Sequence, residues 1–279
     1  FQVSLEIKFF KYDLKDKGDC NAADANVFET GTNQWKSYST WPPKEVISKN
    51  LYFGAEEKLS FEPNSQTTNH KLQTTYSFAE YISDPKKPVP YTNGIYRSRN
   101  NEYMVEDQRF TSNRPDVIVF ETNVLENDIT ITGRISADLF VSTTSTDADF
   151  IVKVIDVLPE NEITPRGMQR GTSMAGFQRL VRAEVMRGKF RNSYEKPIPF
   201  IPNKISEVKF ELNDVSHTFK KGHKIMVQVQ SSWFPLVDMN PQKFMRIPDA
   251  DEKDFQKATI RIYHDATNNS KIVLHVLNK

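Results

Sequence analysis

The sequence has 279 residues, with 37 basic and 36 acidic side chains and a single cysteine. This balance leaves no net field to attract nucleic acid or an anionic membrane surface, and one cysteine, Cys20, cannot form an internal disulfide or a cysteine-rich metal site. No apolar run approaches the roughly 18 residues that span a bilayer. We therefore expect neither a nucleic-acid partner nor a membrane partner.

The first 18 residues carry the pattern of an amphipathic helix. Their apolar side chains recur at four-, three- and four-residue spacing, at Val3, Ile7, Phe10 and Leu14, and Gly18 is a typical stop signal. The apolar face begins without a capping residue, which favours the end of an upstream domain over the natural start of a protein. The pattern alone equally allows a helix that docks on the outside of the following domain.

Beyond residue 50 the apolar period becomes two, which is typical of strands with one buried face. DITITGRISADLFV at 128–141 predicts either a strand pair or one long strand that bends at Gly133. The same alternation predicts strands in ISEVKFEL at 205–212 and in ATIRIYH at 258–264.

Three more continuous apolar runs predict central strands that are covered on both faces. They are VIVF at 117–120, FIVKVIDV at 150–157 and IVLHVL at 272–277. Many short strands, few helices and Pro-rich connections predict an all-β fold, a jelly-roll β-sandwich over residues 51–279 that follows a connector over residues 19–50. Its core positions should include Ile131, Leu139, Val152 and Phe210.

The stretch SHTFKKGHKIMVQVQSSWFP at 216–235 brings two histidines and three serines close together in sequence. We interpret residues 224–230 as a strand with one apolar face, entered through a turn at Gly222. His217 and His223 flank that turn, but a catalytic histidine needs a hydroxyl and a carboxylate at hydrogen-bond distance, which sequence proximity does not provide. We therefore predict that both histidines are structural.

Other motifs for chemistry are weak. GTSMAG at 171–176 has alanine where the nucleophile elbow requires its second glycine, so we predict a loop between strands. The sequence contains no H-E-x-x-H pair, phosphate-binding loop or cluster of His and Cys ligands. We expect no metal and no cofactor.

Several motifs occur in the order found in a known family: ETGTNQW at 29–35, WPP at 41–43, YISDPKKPVP at 81–90, VEDQRF at 105–110 and RPDVIVFET at 114–122. With them, the chain resembles the C-terminal region of the X-Pro dipeptidyl-peptidase and cocaine-esterase-like serine hydrolases. VRAEVMRGKFRNSYEKPIPF at 181–200 looks most similar to the branch that contains α-amino-acid ester hydrolases and cephalosporin acylases.

The resemblance implies a galactose-binding-domain-like jelly roll that carries no catalytic residue. Family members hold the catalytic serine, aspartate and histidine on a preceding α/β-hydrolase domain, into which a helical cap is inserted. Residues 1–18 would be the final helix of that domain, since FFKYDLKDKG at 9–18 is similar to it. The implied partners are the upstream hydrolase and cap domains and a small ester, amide or dipeptide substrate. The same branch suggests a homo-oligomer, and a secreted or periplasmic parent is compatible with the resemblance.

The resemblance also implies roles for individual residues. Ile95, Tyr96 and Arg97 follow the D-P-x-x-P-V-P motif and would form part of the wall of the acyl pocket, although Asn93-Gly94 replaces the two glycines frequent in the family. An ordinary solvent-exposed loop is the alternative for this segment. Asp107, Gln108 and Arg109 match a D-Q-R motif and would form a buried polar staple. The residues expected to dock on the other domains are Phe9, Phe10, Trp233 and Phe234.

Two other functions stay open at this point. An independent carbohydrate-binding module would present Trp35, Trp41 and Trp233 on one face as a sugar platform. A self-sufficient hydrolase would need a catalytic constellation that includes one of the five histidines, His70, His217, His223, His264 and His275. The non-catalytic hydrolase domain predicts instead that the tryptophans lie in the core or on a docking surface, and that the chain alone is inactive.

Overall fold

The structure is a computed structural model, and it describes residues 2–20, 23–63, 77–168 and 171–278. It contains the helices α1 (Ile7–Lys15) and α2 (Arg109–Ser112). Its strands are β1 (Ala25–Glu29), β2 (Gln34–Tyr38), β3 (Val46–Phe53), β4 (Leu59–Ser60), β5 (Phe78–Ser83), β6 (Ile118–Glu121), β7 (Ile129–Thr143), β8 (Asp149–Val157), β9 (Gln178–Arg187), β10 (Ser206–Phe219), β11 (Lys224–Gln230), β12 (Ala258–Tyr263) and β13 (Lys271–Leu277).

The predicted N-terminal helix is present and entirely exposed. A π-helical turn over Gln2–Glu6 leads into α1, and neither element has a buried residue. The helix ends earlier than Gly18, because Asp16 adopts the left-handed conformation and its N–H returns to the carbonyl of Tyr12 at 3.0 Å. A helix docked on the outside of the sandwich would bury its apolar side chains. Since no residue of α1 is buried, the structure does not support that alternative. Among the described residues no helix is long and apolar enough to cross a membrane.

Two open antiparallel sheets form the body of the fold. The larger follows the order β4-β3-β13-β7-β12-β5, and β10 also pairs with β7. The smaller follows the order β6-β11-β8-β9. Strand β7 organises the larger sheet, because β13 pairs with residues 131–138 and β12 pairs with residues 141–143 further along it.

The main core lies between these sheets. It joins the inward side chains of both, and the rings of Phe53 and Phe120 stack across it at 4.4 Å between centroids. The four expected core positions, Ile131, Leu139, Val152 and Phe210, are all buried in this cluster. The prediction of an all-β sandwich is confirmed.

The predicted strands are present, but not all of them are central or buried on both faces as expected. Residues 129–143 form one long strand that contains Gly133 at φ 111°, and β8 is a central strand covered on both faces. β6 was expected to be central but lies at an edge of the smaller sheet. β13 is central, yet alternate residues along it are only partly buried.

A second layer covers the outer face of the smaller sheet. Residues 84–112 and 231–237 pack there around Ile151, Ile155 and Met226. For this reason β11 is buried on both faces. The predicted apolar face is confirmed, because Ile225, Val227 and Val229 lie in the main core, while the opposite face carries the buried polar residues Gln228 and Gln230. The covering segments are irregular, and they carry most of the residues that the family resemblance singles out.

The expected connector contains a hairpin made of β1 and β2. Its end is tied to β10, because the Thr30 N–H donates to the Ser216 carbonyl at 3.0 Å and the Thr218 N–H donates to the Thr30 carbonyl at 2.9 Å. Gly31 allows this approach, since a Cβ there would overlap the Thr218 carbonyl. The boundary expected between residues 50 and 51 falls inside β3, which is part of the larger sheet.

Candidate functional site

A surface groove of about 610 Å³ lies beside the loop formed by residues 88–99. Two segments form it: Pro88 to Arg99 on one side and Phe234, Pro235 and Leu236 on the other. Backbone hydrogen bonds join these segments, from the Phe234 N–H to the Val89 carbonyl at 2.9 Å and from the Tyr91 N–H to the Phe234 carbonyl at 3.0 Å. The groove is therefore built on a short β-bridge-like support.

The three residues expected in the pocket wall all line this groove. Ile95 is fully exposed, at 105% relative accessibility, and Tyr96 is 53% exposed. The Tyr96 ring folds back over Gly94, where an added Cβ would lie 2.8 Å from the ring. The loop thus presents an apolar and an aromatic side chain to solvent, next to the guanidinium groups of Arg97 and Arg99.

Tryptophan and phenylalanine at 233 and 234 have different environments. Trp233 is only 6% exposed and packs edge-on against Tyr103 at 5.6 Å between centroids. Its expected place on an exposed docking surface is wrong, because the ring fills the layer beneath the 88–99 loop. Phe234 is 38% exposed and lines the groove. Neighbouring residues in extended backbone point to opposite sides, so one ring is inside and the other outside.

The D-Q-R motif connects three segments of the outer layer. Asp107 accepts hydrogen bonds from Arg109 Nε at 2.7 Å and from the Gln178 N–H at 3.2 Å. Arg109 Nη1 donates to the Ala175 carbonyl at 3.2 Å, in the loop that contains GTSMAG. The hydrogen bond to Asp107 raises the pKa of Arg109. Of the three motif residues Gln108 is fully buried, whereas the Arg109 side chain is partly exposed.

The exposed apolar side chains of α1 form a second candidate surface. Phe9 and Phe10 are 48% and 49% exposed, and their rings contact each other edge-on at 5.5 Å between centroids. Val3, Ile7 and Leu14 extend this apolar surface along the helix. Contiguous exposure of this kind is uncommon on the surface of a monomeric protein.

A cluster that sequence reasoning missed joins the two sheets at one end of the sandwich. Asp156 on β8 lies 2.7 Å from His223 Nδ1 and 3.4 Å from His217 Nε2. His217 Nδ1 in turn lies 2.8 Å from the Thr30 hydroxyl on the hairpin. We call Thr30, Asp156, His217 and His223 the histidine cluster. Burial would raise the pKa of Asp156, but its contacts with the two histidines outweigh burial and lower it.

In the histidine cluster, His217 lies between the hydroxyl of Thr30 and the carboxylate of Asp156. The sequence did not predict this arrangement, because the three residues are far apart in the chain. The Thr30 hydroxyl also donates to the Ser216 carbonyl at 3.2 Å, so it is not held for His217 alone. A second cavity lies beside the 88–99 loop, between Tyr96, Glu106 and Phe177. Thr30 and His217 line neither this cavity nor the groove. The contacts tie the hairpin to both sheets, which is a structural role.

The remaining candidates for a catalytic or metal site are the other histidines and any group of metal-ligating side chains. His275 Nδ1 lies 2.7 Å from the Arg134 carbonyl, while His70 lies outside the described residues. No group of three His, Cys, Asp or Glu in the described ranges is arranged to hold a metal ion. Among the described residues that line the groove there is no histidine.

A protein-family model decides the relationship. The model for the X-Pro dipeptidyl-peptidase C-terminal non-catalytic domain matches residues 21–273. The chain belongs to this family. The resemblance carried by the ordered motifs is thereby confirmed, and the molecule is a non-catalytic domain of the kind found at the C-terminus of cocaine-esterase-like hydrolases.

Individual relatives support the family assignment. The chain is 29% identical to the cocaine esterase of Rhodococcus sp. (strain MB1 Bresler), over 99% of this chain and 46% of the esterase. Among solved structures, an aminopeptidase from the marine sediment archaeon Thaumarchaeota archaeon aligns at 37% identity and a TM-score of 0.90, over 100% of this chain and 44% of that one. An α-amino acid ester hydrolase aligns at 35% identity and a TM-score of 0.86, over 99% and 45%. The chain spans less than half the length of these relatives.

The positions of the three tryptophans in this X-Pro dipeptidyl-peptidase C-terminal domain do not fit a sugar platform. Trp35 is exposed on β2, Trp41 is partly buried with its indole N–H on Asp214 at 2.5 Å, and Trp233 is buried in the outer layer. A platform needs flat rings that are open to solvent on one face. The carbohydrate-binding alternative therefore has no supporting observation.

Proposed function

We propose that this domain packs against the catalytic and cap domains of a longer serine hydrolase and contributes the 88–99 loop to one wall of its acyl pocket. The substrate would be a small ester, an amide or an N-terminal dipeptide bond. A serine on the catalytic domain would attack the carbonyl and form an acyl-enzyme, which water then hydrolyses. The role of the present domain is to shape the pocket and exclude water from one side.

The observation that carries this proposal is the pair of uncovered apolar surfaces. The apolar side chains of α1 are exposed along the helix, and the groove exposes Ile95, Tyr96 and Phe234 at a separate place. An interface between domains of one chain buries such surfaces. The relatives, which include an esterase, an aminopeptidase and an α-amino acid ester hydrolase, support a reaction at an ester or amide carbonyl.

The purified chain should not hydrolyse esters by itself. We expect no turnover of p-nitrophenyl acetate or of an α-amino acid p-nitrophenyl ester, and no labelling by a fluorophosphonate, because the groove has no nucleophile paired with a base. Turnover with one labelled residue would contradict the proposal. In that case Thr30→Val and His217→Gln would test whether the histidine cluster performs the reaction.

Replacing both phenylalanines of α1 by aspartate should weaken docking. The binding partner for this measurement is the part of the Thaumarchaeota aminopeptidase that the present chain does not match, with that protein's own matching domain as the positive control. Burying one large apolar side chain is worth about 1.5–3 kcal/mol, so Phe9→Asp with Phe10→Asp should weaken binding by about 100-fold or more. Calorimetry or surface plasmon resonance would measure the change.

The matched control for this experiment is Ile82→Asp. Ile82 is also an exposed apolar residue, at 58% accessibility, but it lies on β5 far along the chain from α1. We expect it to leave binding unchanged. Equal weakening by both variants would show a general loss of hydrophobic attraction and would contradict α1 as the docking element.

A further inference from the structure

A lysine is completely buried beneath the groove. Lys153 on β8 is 0% exposed, and its side chain lies on the outer face of the smaller sheet. Nζ donates a hydrogen bond to Gln108 Oε1 at 3.0 Å and lies 5.2 Å from the ring centre of Trp233 and 5.9 Å from that of Phe110. In the described part of the chain it forms no ion pair. A buried ammonium without an anionic partner is costly, so its presence needs a reason.

One support of the 88–99 loop passes through Trp233. Lys153 makes a cation–π contact with the indole of Trp233, and the next residue, Phe234, exchanges backbone hydrogen bonds with Val89 and Tyr91. These bonds fix the beginning of the loop and the floor of the groove. A shift of the Trp233 ring would therefore move the segment that holds the loop in place.

The other support passes through Gln108. Its N–H donates to the Gln178 carbonyl at 3.0 Å, and its side-chain amide donates to the Glu106 carbonyl at 2.9 Å. The Glu106 carboxylate accepts the Asn93 N–H at 3.1 and 3.2 Å, at the turn that leads to Ile95. Lys153 holds the oxygen of the same Gln108 amide, so it contacts both supports at once.

We propose that Lys153 is a positioning residue that holds the 88–99 loop in the shape the groove requires, and that its charge controls how firmly the loop is held. The inference rests on the proposed function only in taking the groove as part of the substrate pocket. The ammonium attracts the electron-rich face of Trp233 and the carboxylate of Glu106, whereas the neutral amine retains only the hydrogen bond to Gln108. Loss of the charge loosens both supports.

The surroundings of Lys153 lower its pKa, so the ammonium loses its proton near neutral pH. Burial lowers the pKa of Lys153 to about 7, and the charge of Glu106 opposes that shift. Burial also raises the pKa of Glu106. On the neighbouring strands Lys153 faces uncharged residues, Ala183 on β9 and Gln228 on β11. The outer layer around it also contains the phenols of Tyr91 and Tyr103, the ion pair of Asp107 with Arg109, and Arg99, whose guanidinium lies over the Tyr103 ring. The lysine is thus charged below pH 7 and neutral above it.

The first test follows the accessibility of the loop across pH in the full chain, without substrate or any other domain. Trypsin cleaves after Arg97 and Arg99 in the exposed loop, and cleavage after the exposed Lys253 provides an internal reference that removes the pH dependence of the protease. We expect the ratio of loop to reference cleavage to rise about 3- to 10-fold between pH 6 and pH 8.5. In Lys153→Met the ratio should be high and independent of pH.

The second test reads the indole directly. In the chain labelled with fluorotryptophan, the Trp233 resonance is assigned by elimination with Trp35→Phe and Trp41→Phe. It should titrate with a midpoint near 7 in the wild type and in Lys189→Met, which removes the other lysine that is buried within the described ranges. It should not titrate in Lys153→Met.

A flat cleavage ratio together with a pH-independent Trp233 resonance in the wild type would overturn the inference, and this outcome needs no variant to fold. A Lys153→Met profile equal to that of the wild type would overturn it as well. Neither measurement depends on docking or on ester hydrolysis, so failure of the proposed function is recognised separately.

Discussion

Replacing Asp156 by alanine should lower the free energy of unfolding by about 3–5 kcal/mol, the range for removing one partner from a buried charged group. Asp156 is fully buried on β8 and is contacted by His223 from the turn before β11 and by His217 from β10. Without the carboxylate, His223 Nδ1 and His217 Nε2 stay buried but lose the polar partner that Asp156 provides. Urea denaturation at pH 7 would measure the change.

The pH dependence of this effect has a defined direction. Since the pKa of Asp156 is lower in the folded protein than its ordinary value, the carboxylate stabilises the fold above the unfolded pKa of about 3.9. That contribution is lost as the pH falls through the lower, folded pKa. The difference in stability between the wild type and Asp156→Asn should therefore be constant near neutrality and shrink below about pH 4.

An exposed aspartate serves as the control for the histidine cluster. Asp249 forms an ion pair with Arg246 at 3.5 Å on the surface, and such pairs contribute about 0–1 kcal/mol. Asp249→Ala should therefore change stability far less than Asp156→Ala. Similar losses in the two variants would mean that the cluster does not join the sheets.

Leu139→Ala should lower the free energy of unfolding by about 2–5 kcal/mol, the range for truncating a buried leucine. Leu139 lies in the middle of β7, pairs with Val208 on β10 and is fully enclosed by the main core. The variant loses the burial of the removed atoms and leaves a cavity that the rigid sheets close only in part. Thermal or urea unfolding followed by circular dichroism would measure it.

Ile82→Ala is the matched control for the core prediction. Ile82 is also on a strand of the larger sheet, but it is 58% exposed on β5. Its truncation should change the stability by less than about 0.5 kcal/mol, as for most surface substitutions. A loss below about 0.5 kcal/mol for Leu139→Ala itself would contradict the assignment of β7 to the core.

Local sequence patterns were sufficient to predict the all-β class and most strands. Alternation of apolar and polar residues depends only on local backbone geometry, so it located β7, β10 and β12 without knowledge of their neighbours. The ordered motifs predicted the family, which the family model then matched over residues 21–273. They also pointed to Ile95, Tyr96 and Arg97, and these residues do line one groove.

Which segment covers each strand face depends on long-range packing, which local patterns do not reveal. VIVF at 117–120 has the apolar run of a central strand but contributes to the edge strand β6, because the segments that pair with it are distant in sequence. Trp233 and Phe234 are adjacent and equally apolar, and the sequence did not indicate that the outer layer encloses the first and leaves the second at the groove.

The clearest case is β8. FIVKVIDV predicted a buried strand, and its lysine and aspartate carried no separate signal. In the fold they point to opposite layers: Lys153 beneath the 88–99 loop, and Asp156 toward histidines from the turn before β11 and from the other sheet. A period of two tells which side chains share a face of one strand. It contains no information about the remote loop, turn or strand that packs on that face, and those contacts determine what each buried charge does.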